Sequence, residues 1–247
     1  METALFSAAS LFHDPDDSGD EMQVHADEQA QKMEYEERIH KFPGMELSIR
    51  EFSSHQLNAN LLWPGTFFFA DWLEKNKSIL HGRRILELGS GTGALAIFLR
   101  KALHVDITTS DYDDKEIEEN IAYNCKANNL DALPHIRHTW GDQFPVPVPD
   151  WDIVIANVKQ YPNLTKTLSF LLRGYTGSSQ NAGSTTITSK SETQVPVKFP
   201  MFLMSWRRRI GKDQSLFLEA FEKAGLEVQH LGELVYLITP SSRLLKR

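Results

Sequence analysis

Short apolar segments alternate with amphipathic ones along most of this 247-residue chain. Apolar or alternating runs predict strands, and apolar positions three and four residues apart predict helices. Strands are predicted at 45–52, 84–88, 104–110, 135–140, 151–156 and 199–206. Helices are predicted at 93–102, 114–128, 162–173 and 214–224, with another that begins at Pro64-Gly65. Strands that alternate with helices are typical of a mostly parallel sheet covered on both faces.

The C-terminal segments 226–231 and 233–239 are too close together for a helix to connect them as parallel strands. We therefore expect an antiparallel hairpin that turns at Gly232. The predicted fold class is α/β, with a doubly wound, mostly parallel, seven-stranded Rossmann-like sheet that ends in this antiparallel C-terminal hairpin.

The helix predicted at 114–128 has a defined start and a defined inner face. Asp113 and Glu116 are three residues apart, which is a pattern like a capping box and predicts that the helix begins there. Residues at helical spacing are expected to form its buried face: Ile117, Ile121, Asn124, Cys125 and Asn128.

Two parts of the chain lack a regular apolar pattern. Residues 1–44 are predicted to be an acidic, partly disordered arm, and residues 45–247 are predicted to be the folded domain. Within the arm, 27–42 could form a charged helix with a weak apolar stripe. Residues 174–194 have low complexity, and we expect a long flexible insert that cannot bury a core.

The net charge of −7 is unevenly distributed. Residues 1–50 carry 12 acidic and 4 basic residues, and the rest of the chain carries 21 and 22. A nearly neutral domain gives no reason to expect binding to nucleic acid.

No apolar run is long enough for a membrane span, and the first residues lack a secretory pattern. Cys125 is the single cysteine, so we expect a reducing compartment, the cytosol or the nucleus. We also expect the chain to act as a monomer.

The segment 83–93 is the most informative part of the sequence for function. An apolar strand runs into glycines at 89, 91 and 93, and a helix-forming run follows at once. Glycines let the backbone approach a bound molecule closely, and the start of a helix presents unpaired N–H groups. A strand, a glycine turn and a helix in this order predict a site for a nucleotide-like cofactor.

Two cofactors compete for this site. Dinucleotides are bound by the spacing G-x-G-x-x-G, whereas this chain has G-x-G-x-G with Glu87 before the first glycine. S-Adenosylmethionine (AdoMet) carries a sulfonium cation and an amino-acid group, which suit an acidic neighbour. Asp111 ends the next strand and is placed to accept ribose hydroxyls in either case. Asp142 could bind an adenine amino group, and Trp140 could cover the ring.

No metal site is expected. His135 and His138, the only closely spaced histidines in a predicted strand, would point to opposite faces of it.

Several segments, in order, resemble the class I methyltransferases with seven β-strands. The similarity is closest to the family-16 methyltransferase-like group, which contains many protein lysine methyltransferases. The matching segments are Leu62–Gly65, Glu87–Gly93, Ser110-Asp111, Thr139–Asp142 and Asp150–Ala156. The resemblance covers roughly residues 45–240.

This resemblance implies an AdoMet-dependent enzyme that methylates a protein side chain, most readily a lysine. Asn157 and Tyr161 are candidates to orient the acceptor amine, and they are our predicted catalytic residues. The predicted cofactor-binding residues are Trp63, Glu87, Gly89, Ser90, Gly91, Thr92, Gly93, Asp111, Tyr112, Trp140, Gly141 and Asp142.

The chain departs from the family pattern at 157–162, where an expected acidic residue is absent and the segment is several residues short. That segment shapes the acceptor pocket in the family. Two other functions therefore remain open. The chain could methylate arginine or a small molecule on the same scaffold, or it could be an adaptor that binds AdoMet without transferring its methyl group.

Overall fold

A computed structural model describes residues 35–52, 62–158, 163–177, 186–188, 193–206 and 214–241. The first elements are β1 (Tyr35–Phe42), β2 (Met45–Phe52), α1 (Pro64–Lys75), β3 (Arg84–Leu88), α2 (Ala94–Leu103), β4 (Asp106–Asp111), α3 (Lys115–Ala127) and β5 (His135–Arg137). The remaining elements are β6 (Ile153–Val158), α4 (Leu164–Arg173), β7 (Thr186–Thr188), β8 (Gln194–Pro196), β9 (Met201–Trp206), α5 (Gln214–Lys223), β10 (Leu226–Gly232) and β11 (Val235–Pro240).

The central sheet has seven strands in the order β10-β11-β9-β6-β3-β4-β5. The pairs from β9 through β5 are parallel, whereas β11 pairs antiparallel with both β9 and β10. The predicted fold class is confirmed, including the antiparallel C-terminal hairpin. Chain order reverses next to β3, which lies between β4 and β6. In open α/β sheets, ligands bind at the carboxyl ends of the strands beside such a reversal.

Side chains that alternate along the strands build two apolar layers, one on each face of the sheet. In β6, Ile153 and Ile155 pack into one layer, whereas Val154 and Ala156 pack into the other. The first layer also holds the buried residues of α1, α2 and α3, and the second holds those of α4. This arrangement places helices on both faces and leaves the carboxyl ends of the strands open for a site.

The prediction of a charged helix at 27–42 is wrong for residues 35–42, which form strand β1. β1 pairs antiparallel with β2 from Tyr35↔Phe52 to Phe42↔Met45. Only Phe42 of this strand is buried, so its sequence carries no alternating apolar pattern. The strand is held instead by the ladder to β2, which a local pattern does not reveal. The rest of that predicted helix lies outside the described residues.

The expectation that 174–194 cannot bury a core is wrong at Ile187. This residue lies in β7, which pairs antiparallel with β8. The Ile187 side chain is 1% exposed and packs in the first apolar layer, together with Val195 of β8. A single β-branched residue between threonines is sufficient for this contact, although the surrounding composition is that of a loop. Residues 178–185 and 189–192 lie outside the described residues.

The residue that caps the start of helix α3 is Asp114 rather than Asp113. The Asp114 side chain accepts a hydrogen bond from the Glu116 N–H, at 2.8 Å. The predicted inner face is confirmed, because Ile117, Ile121, Asn124, Cys125 and Asn128 are all buried.

Among the described helices, none has the length and apolar character of a membrane span.

Candidate active site

Two of the predicted cofactor-binding features, the glycine loop and Asp111, meet beside the point where the chain order reverses. The glycine loop connects the carboxyl end of β3 to the start of α2, and Asp111 is the last residue of β4. Because β3 and β4 are adjacent and parallel, with Leu88 opposite Ser110, these two strand ends meet at one edge of the sheet. The structure thus brings the loop and Asp111 together, as the sequence predicted.

The backbone of the glycine loop explains why it needs glycine. Gly89, Gly91 and Gly93 have φ values of +70°, +52° and +76°, in the left-handed region that side chains with a Cβ rarely adopt. The loop is anchored to β4 because the Gly89 and Ser90 N–H groups donate to the Ser110 carbonyl, at 2.8 and 3.1 Å. Ser90 Oγ in turn accepts from the Ser110 N–H, at 3.2 Å.

The side chain of Asp111 also binds the glycine loop. Its Oδ2 accepts from the Gly91 N–H at 2.6 Å, and its Oδ1 accepts from the Tyr112 N–H at 2.7 Å. An ionised carboxylate has about four acceptor positions on its two oxygens. These backbone bonds therefore orient Asp111 without using its whole capacity to accept from ribose hydroxyls.

Trp140 and Gly141 lie in the turn after β5 and not at its end, because β5 stops at Arg137. The turn is fixed by Thr167 of α4, whose hydroxyl accepts from the Gly141 N–H at 3.0 Å. The same hydroxyl lies 3.2 Å from Nε2 of the buried His138. Burial lowers the pKa of His138, with Asp142 opposing the change, so the ring is neutral and Nε2 can accept from Thr167.

The Trp140 ring faces the glycine loop. A Cβ added at Gly89 would lie 3.2 Å from Trp140 Cζ2, so the indole and the loop backbone are in contact range. An indole beside a backbone that approaches a ligand is suited to cover an adenine ring. The predicted position of Trp140 in a strand is wrong, and its role as a cover for the adenine ring stays a prediction.

Glu87 is the unusual group of the site. Its side chain is 4% exposed, and its Oε2 has no hydrogen-bond partner among the described residues. Burial raises the pKa of Glu87 to about 8; Ser90 opposes this rise by hydrogen bonding, Asp111 adds to it through its negative charge, and the Ala96 backbone opposes it. Burial therefore disfavours the ionised form of this side chain, and a bound cation would favour that form and pair with it.

Three other predicted residues are exposed near the ends of these elements. Trp63, which precedes α1, is 40% exposed, and Tyr112, which follows β4, is 43% exposed. Asp142 is exposed beside Gly141. Large exposed aromatics are available for contact with a ligand, and these positions stay predictions.

Asn157, a predicted catalytic residue, is held between α1 and the sheet. With its side-chain oxygen directed to Thr66, the amide accepts from the Thr66 N–H at 3.0 Å and donates to the Ser205 carbonyl at 3.2 Å. Gly65 allows this approach, since a Cβ there would lie about 3 Å from the polar atoms of the Asn157 amide. The amide therefore links α1 to β9. Tyr161, the other predicted catalytic residue, lies outside the described residues.

Asn124, which its spacing predicted only as part of a buried helix face, also belongs to the site. Asn124 of α3 donates from Nδ2 to the Thr92 carbonyl, at 2.9 Å, in the middle of the glycine loop. The signal that could have found it is a fully buried asparagine at helical spacing, because a buried amide requires partners.

Two other features lie outside this site. A surface pocket of about 550 Å³ lies on the second layer, and no predicted site residue lines it. Its walls are Thr165, Lys166, Ser169, Phe170, Arg173, Gly174 and Ala224. Across the described ranges, no three His, Cys, Asp or Glu side chains are grouped closely enough to hold a metal ion.

The strand order, the glycine loop after β3 and the acidic residue at the end of β4 define the fold of class I AdoMet-dependent methyltransferases. The structure is similar to that of a T. thermophilus 16S rRNA N2 G1207 methyltransferase, solved in complex with AdoMet and guanosine. The TM-score is 0.56 at 14% identity, over 84% of this chain and 50% of that one. Because the sequence identity is low, this similarity is evidence for a shared fold alone.

Residues 41–192 match the profile of a family described as lysine methyltransferase, and the chain belongs to this family. It is 31% identical over 144 residues to EEF1A lysine methyltransferase 3 of Xenopus tropicalis, covering 55% of this chain and 63% of that one. It is 27% identical over 101 residues to the protein N-terminal and lysine N-methyltransferase efm7 of Schizosaccharomyces pombe, covering 40% of each chain. A third relative is the histone-arginine methyltransferase METTL23 of Xenopus laevis, 27% identical over 118 residues, covering 45% of this chain and 50% of that one. The chain spans about half the length of these curated relatives.

Proposed function

We propose that this chain is an AdoMet-dependent methyltransferase that modifies a protein, with lysine as the preferred acceptor. The family description and two of the relatives support a lysine acceptor. The observation that carries the cofactor assignment is Glu87, a buried acidic side chain two residues before the glycine loop, whose Oε2 has no partner among the described residues. A cationic ligand fits that deficit, whereas a pyrophosphate does not.

The residues present fit AdoMet along its whole length. Glu87 would attract the positive end of the ligand, and Asp111, held by the Gly91 N–H, would accept the ribose hydroxyls. Trp140 lies against Gly89, where it would cover the adenine ring. AdoMet, when bound, supplies a methyl group activated by the sulfonium. The chain positions both reactants and excludes water, which are the main requirements of an in-line displacement.

A lysine acceptor must reach the site as a neutral amine, because its reference pKa of about 10.4 keeps it charged in water. We propose that Tyr161 orients this amine and that Asn157 defines the wall beside it. The Asn157 amide is already bonded to Thr66 and Ser205, so its contribution is to fix the ends of α1, β6 and β9 around the acceptor.

Arginine is the second candidate acceptor, because one relative is named as a histone-arginine methyltransferase.

We further propose that the chain acts as a monomer in the cytosol or nucleus. Cys125, its single cysteine, is a buried free thiol whose pKa is raised by burial, which is consistent with a reducing compartment.

The test is transfer of a radiolabelled methyl group from AdoMet into a cell extract by the full chain, followed by mass spectrometry of the labelled band. A protein band modified on lysine supports the proposal, and one modified on arginine supports the second candidate. Label in small metabolites would contradict a protein acceptor. AdoMet binding without any transfer would indicate the adaptor.

A further inference from the structure

Helix α3 presents three asparagines on consecutive turns toward strand β2. Asn120 and Asn124 are 0% exposed and Asn128 is 5% exposed, so each amide must find its partners inside the protein. The three residues are four apart and therefore share one face of the helix. We refer to Asn120, Asn124 and Asn128 as the asparagine ladder.

The asparagine ladder pairs with the backbone of β2 as another strand would. Asn128 accepts from the Ser48 N–H at 3.1 Å and donates to the Ser48 carbonyl at 2.7 Å. Asn124 accepts from the Arg50 N–H at 2.8 Å and donates to the Arg50 carbonyl at 3.1 Å. Ser48 and Arg50 alternate along β2, so the ladder satisfies backbone groups that β1 does not reach.

Asn124 differs from its neighbours because it also binds the glycine loop. Its Nδ2 carries two hydrogens, and the two carbonyls within reach are those of Arg50 at 3.1 Å and Thr92 at 2.9 Å. Thr92 lies between Gly91 and Gly93, both of which have positive φ. One buried amide therefore connects the β1–β2 hairpin to the glycine-flanked backbone of the cofactor site.

The hairpin end of this connection is firmly held. The Arg50 guanidinium lies 4.2 Å from the centre of the Tyr35 ring and 3.8 Å from that of Tyr123. Its Nε donates to Asn120 Oδ1 at 2.7 Å. Stacking between two aromatic rings and a short hydrogen bond fix Arg50 against α3, and this contact fixes the backbone that Asn124 binds.

We propose that Asn124 is a positioning residue that holds the glycine loop in its cofactor-binding conformation by tying Thr92 to the hairpin. This inference rests on the proposed AdoMet binding. Without the bond to Asn124, the two flanking glycines permit additional loop conformations. A smaller fraction of the molecules then has the loop in the conformation that binds the cofactor. The apparent affinity for the cofactor falls by that fraction.

The test compares Asn124→Leu with Asn128→Leu in the full chain. Both substitutions remove a buried amide that pairs with β2, but only Asn124 contacts the loop. We expect the dissociation constant for AdoMet, measured by calorimetry, to rise about tenfold in Asn124→Leu and by less than about threefold in Asn128→Leu. Equal effects in the two variants would overturn the proposal. Asn124→Asp, which keeps the acceptor and loses the donor, replaces Asn124→Leu if the latter does not fold.

A second measurement keeps this test separate from the proposed function. Hydrogen exchange of the amides at 91–94 reports the loop without any ligand. We expect faster exchange there in the Asn124 variant than in Asn128→Leu, at matched overall stability. If the unmodified chain bound no AdoMet, the proposed function would fail, and the exchange rates would still decide the role of Asn124. Identical exchange in both variants would overturn it.

Discussion

Asp111 Oδ2 accepts a hydrogen bond from the Gly91 N–H at 2.6 Å, which joins the end of β4 to the centre of the loop that follows β3. The bond runs between two adjacent parallel strands, so it depends on the sheet register that places Leu88 opposite Ser110. The same carboxylate is the predicted acceptor for the ribose hydroxyls. Asp111 thus shapes the loop and is oriented by it.

Asp111→Asn tests this double role. The amide keeps the size of the side chain, but it loses the charge and one acceptor oxygen, so a bond to Gly91 or Tyr112 or a ribose hydroxyl is lost. Hydrogen bonds to charged groups contribute about 1.5 to 3 kcal/mol, so we expect the AdoMet dissociation constant to rise roughly tenfold to a hundredfold by calorimetry. Asp113→Asn, an exposed neighbour, is the control. Unchanged affinity in Asp111→Asn would remove this residue from the site.

Two glycines of similar φ separate backbone strain from ligand contact. Gly89 has φ +70° and a Cβ there would meet Trp140, whereas Gly82 has φ +67° with nothing within 4 Å. A left-handed alanine costs about 1 to 2 kcal/mol, so Gly82→Ala should lower the free energy of unfolding in urea by this amount, and Gly89→Ala by at least as much because of the Trp140 contact. Only Gly89→Ala should also weaken AdoMet binding. Weaker binding in Gly82→Ala would show that lost stability alone explains the effect.

The stability of the protein should depend on pH through Glu87. Its pKa is about 8 in the folded state against the ordinary 4.5, so the folded chain holds a proton between these values that the unfolded chain has lost. Stability from this group is therefore present below pH 4.5 and is lost as the pH rises toward 8, by an amount on the order of 5 kcal/mol.

Urea unfolding at several pH values measures this dependence. Glu87→Gln is neutral throughout, so its free energy of unfolding should fall less between pH 5 and 8 than that of the unmodified chain. Glu46→Gln, at an exposed position of β2, should keep the original slope. Parallel curves for all three proteins would mean that Glu87 is ionised in the folded state.

Cofactor binding should release protons at pH 7. With a pKa of about 8, Glu87 is mostly protonated in the free chain, and a nearby sulfonium would favour the carboxylate. Calorimetry in buffers of different ionisation enthalpy should show net proton release on AdoMet binding, and Glu87→Gln should abolish it. Release of equal size in Glu87→Gln would assign the proton to another group.

The insert should contribute to the core through Ile187. This side chain is 1% exposed, whereas Ile39 of β1 is 63% exposed. Ile187→Ala should lower the free energy of unfolding by about 2 to 4 kcal/mol, and Ile39→Ala by less than about 0.5 kcal/mol. Similar values for the two would show that β7 does not pack on the domain in solution.

The sequence alone predicted those features of the fold that depend on residues close together in the chain. The alternation of strands and helices, the C-terminal hairpin and the position of Asp111 at the end of β4 were all predicted, because each rests on residues close together in the chain. The buried face of α3 was predicted for the same reason, since its spacing is a property of one helix.

The features that were missed depend on distant partners. β1 is mostly exposed and is held by its ladder to β2 and by contacts of Arg38 and His40 with the buried Glu51, at 3.1 Å each. The role of Asn124 arises because Arg50 and Thr92 meet at one amide, although they are far apart in sequence. No local pattern encodes such a meeting.

Titration of AdoMet into the full chain by calorimetry, with NAD as the comparison ligand, tests the central claim most directly. The site combines an unpartnered buried carboxylate, an Asp111 oriented by the loop, and Trp140 beside Gly89. We predict saturable binding of one AdoMet per chain and no heat with NAD. Binding of NAD without binding of AdoMet would contradict the account.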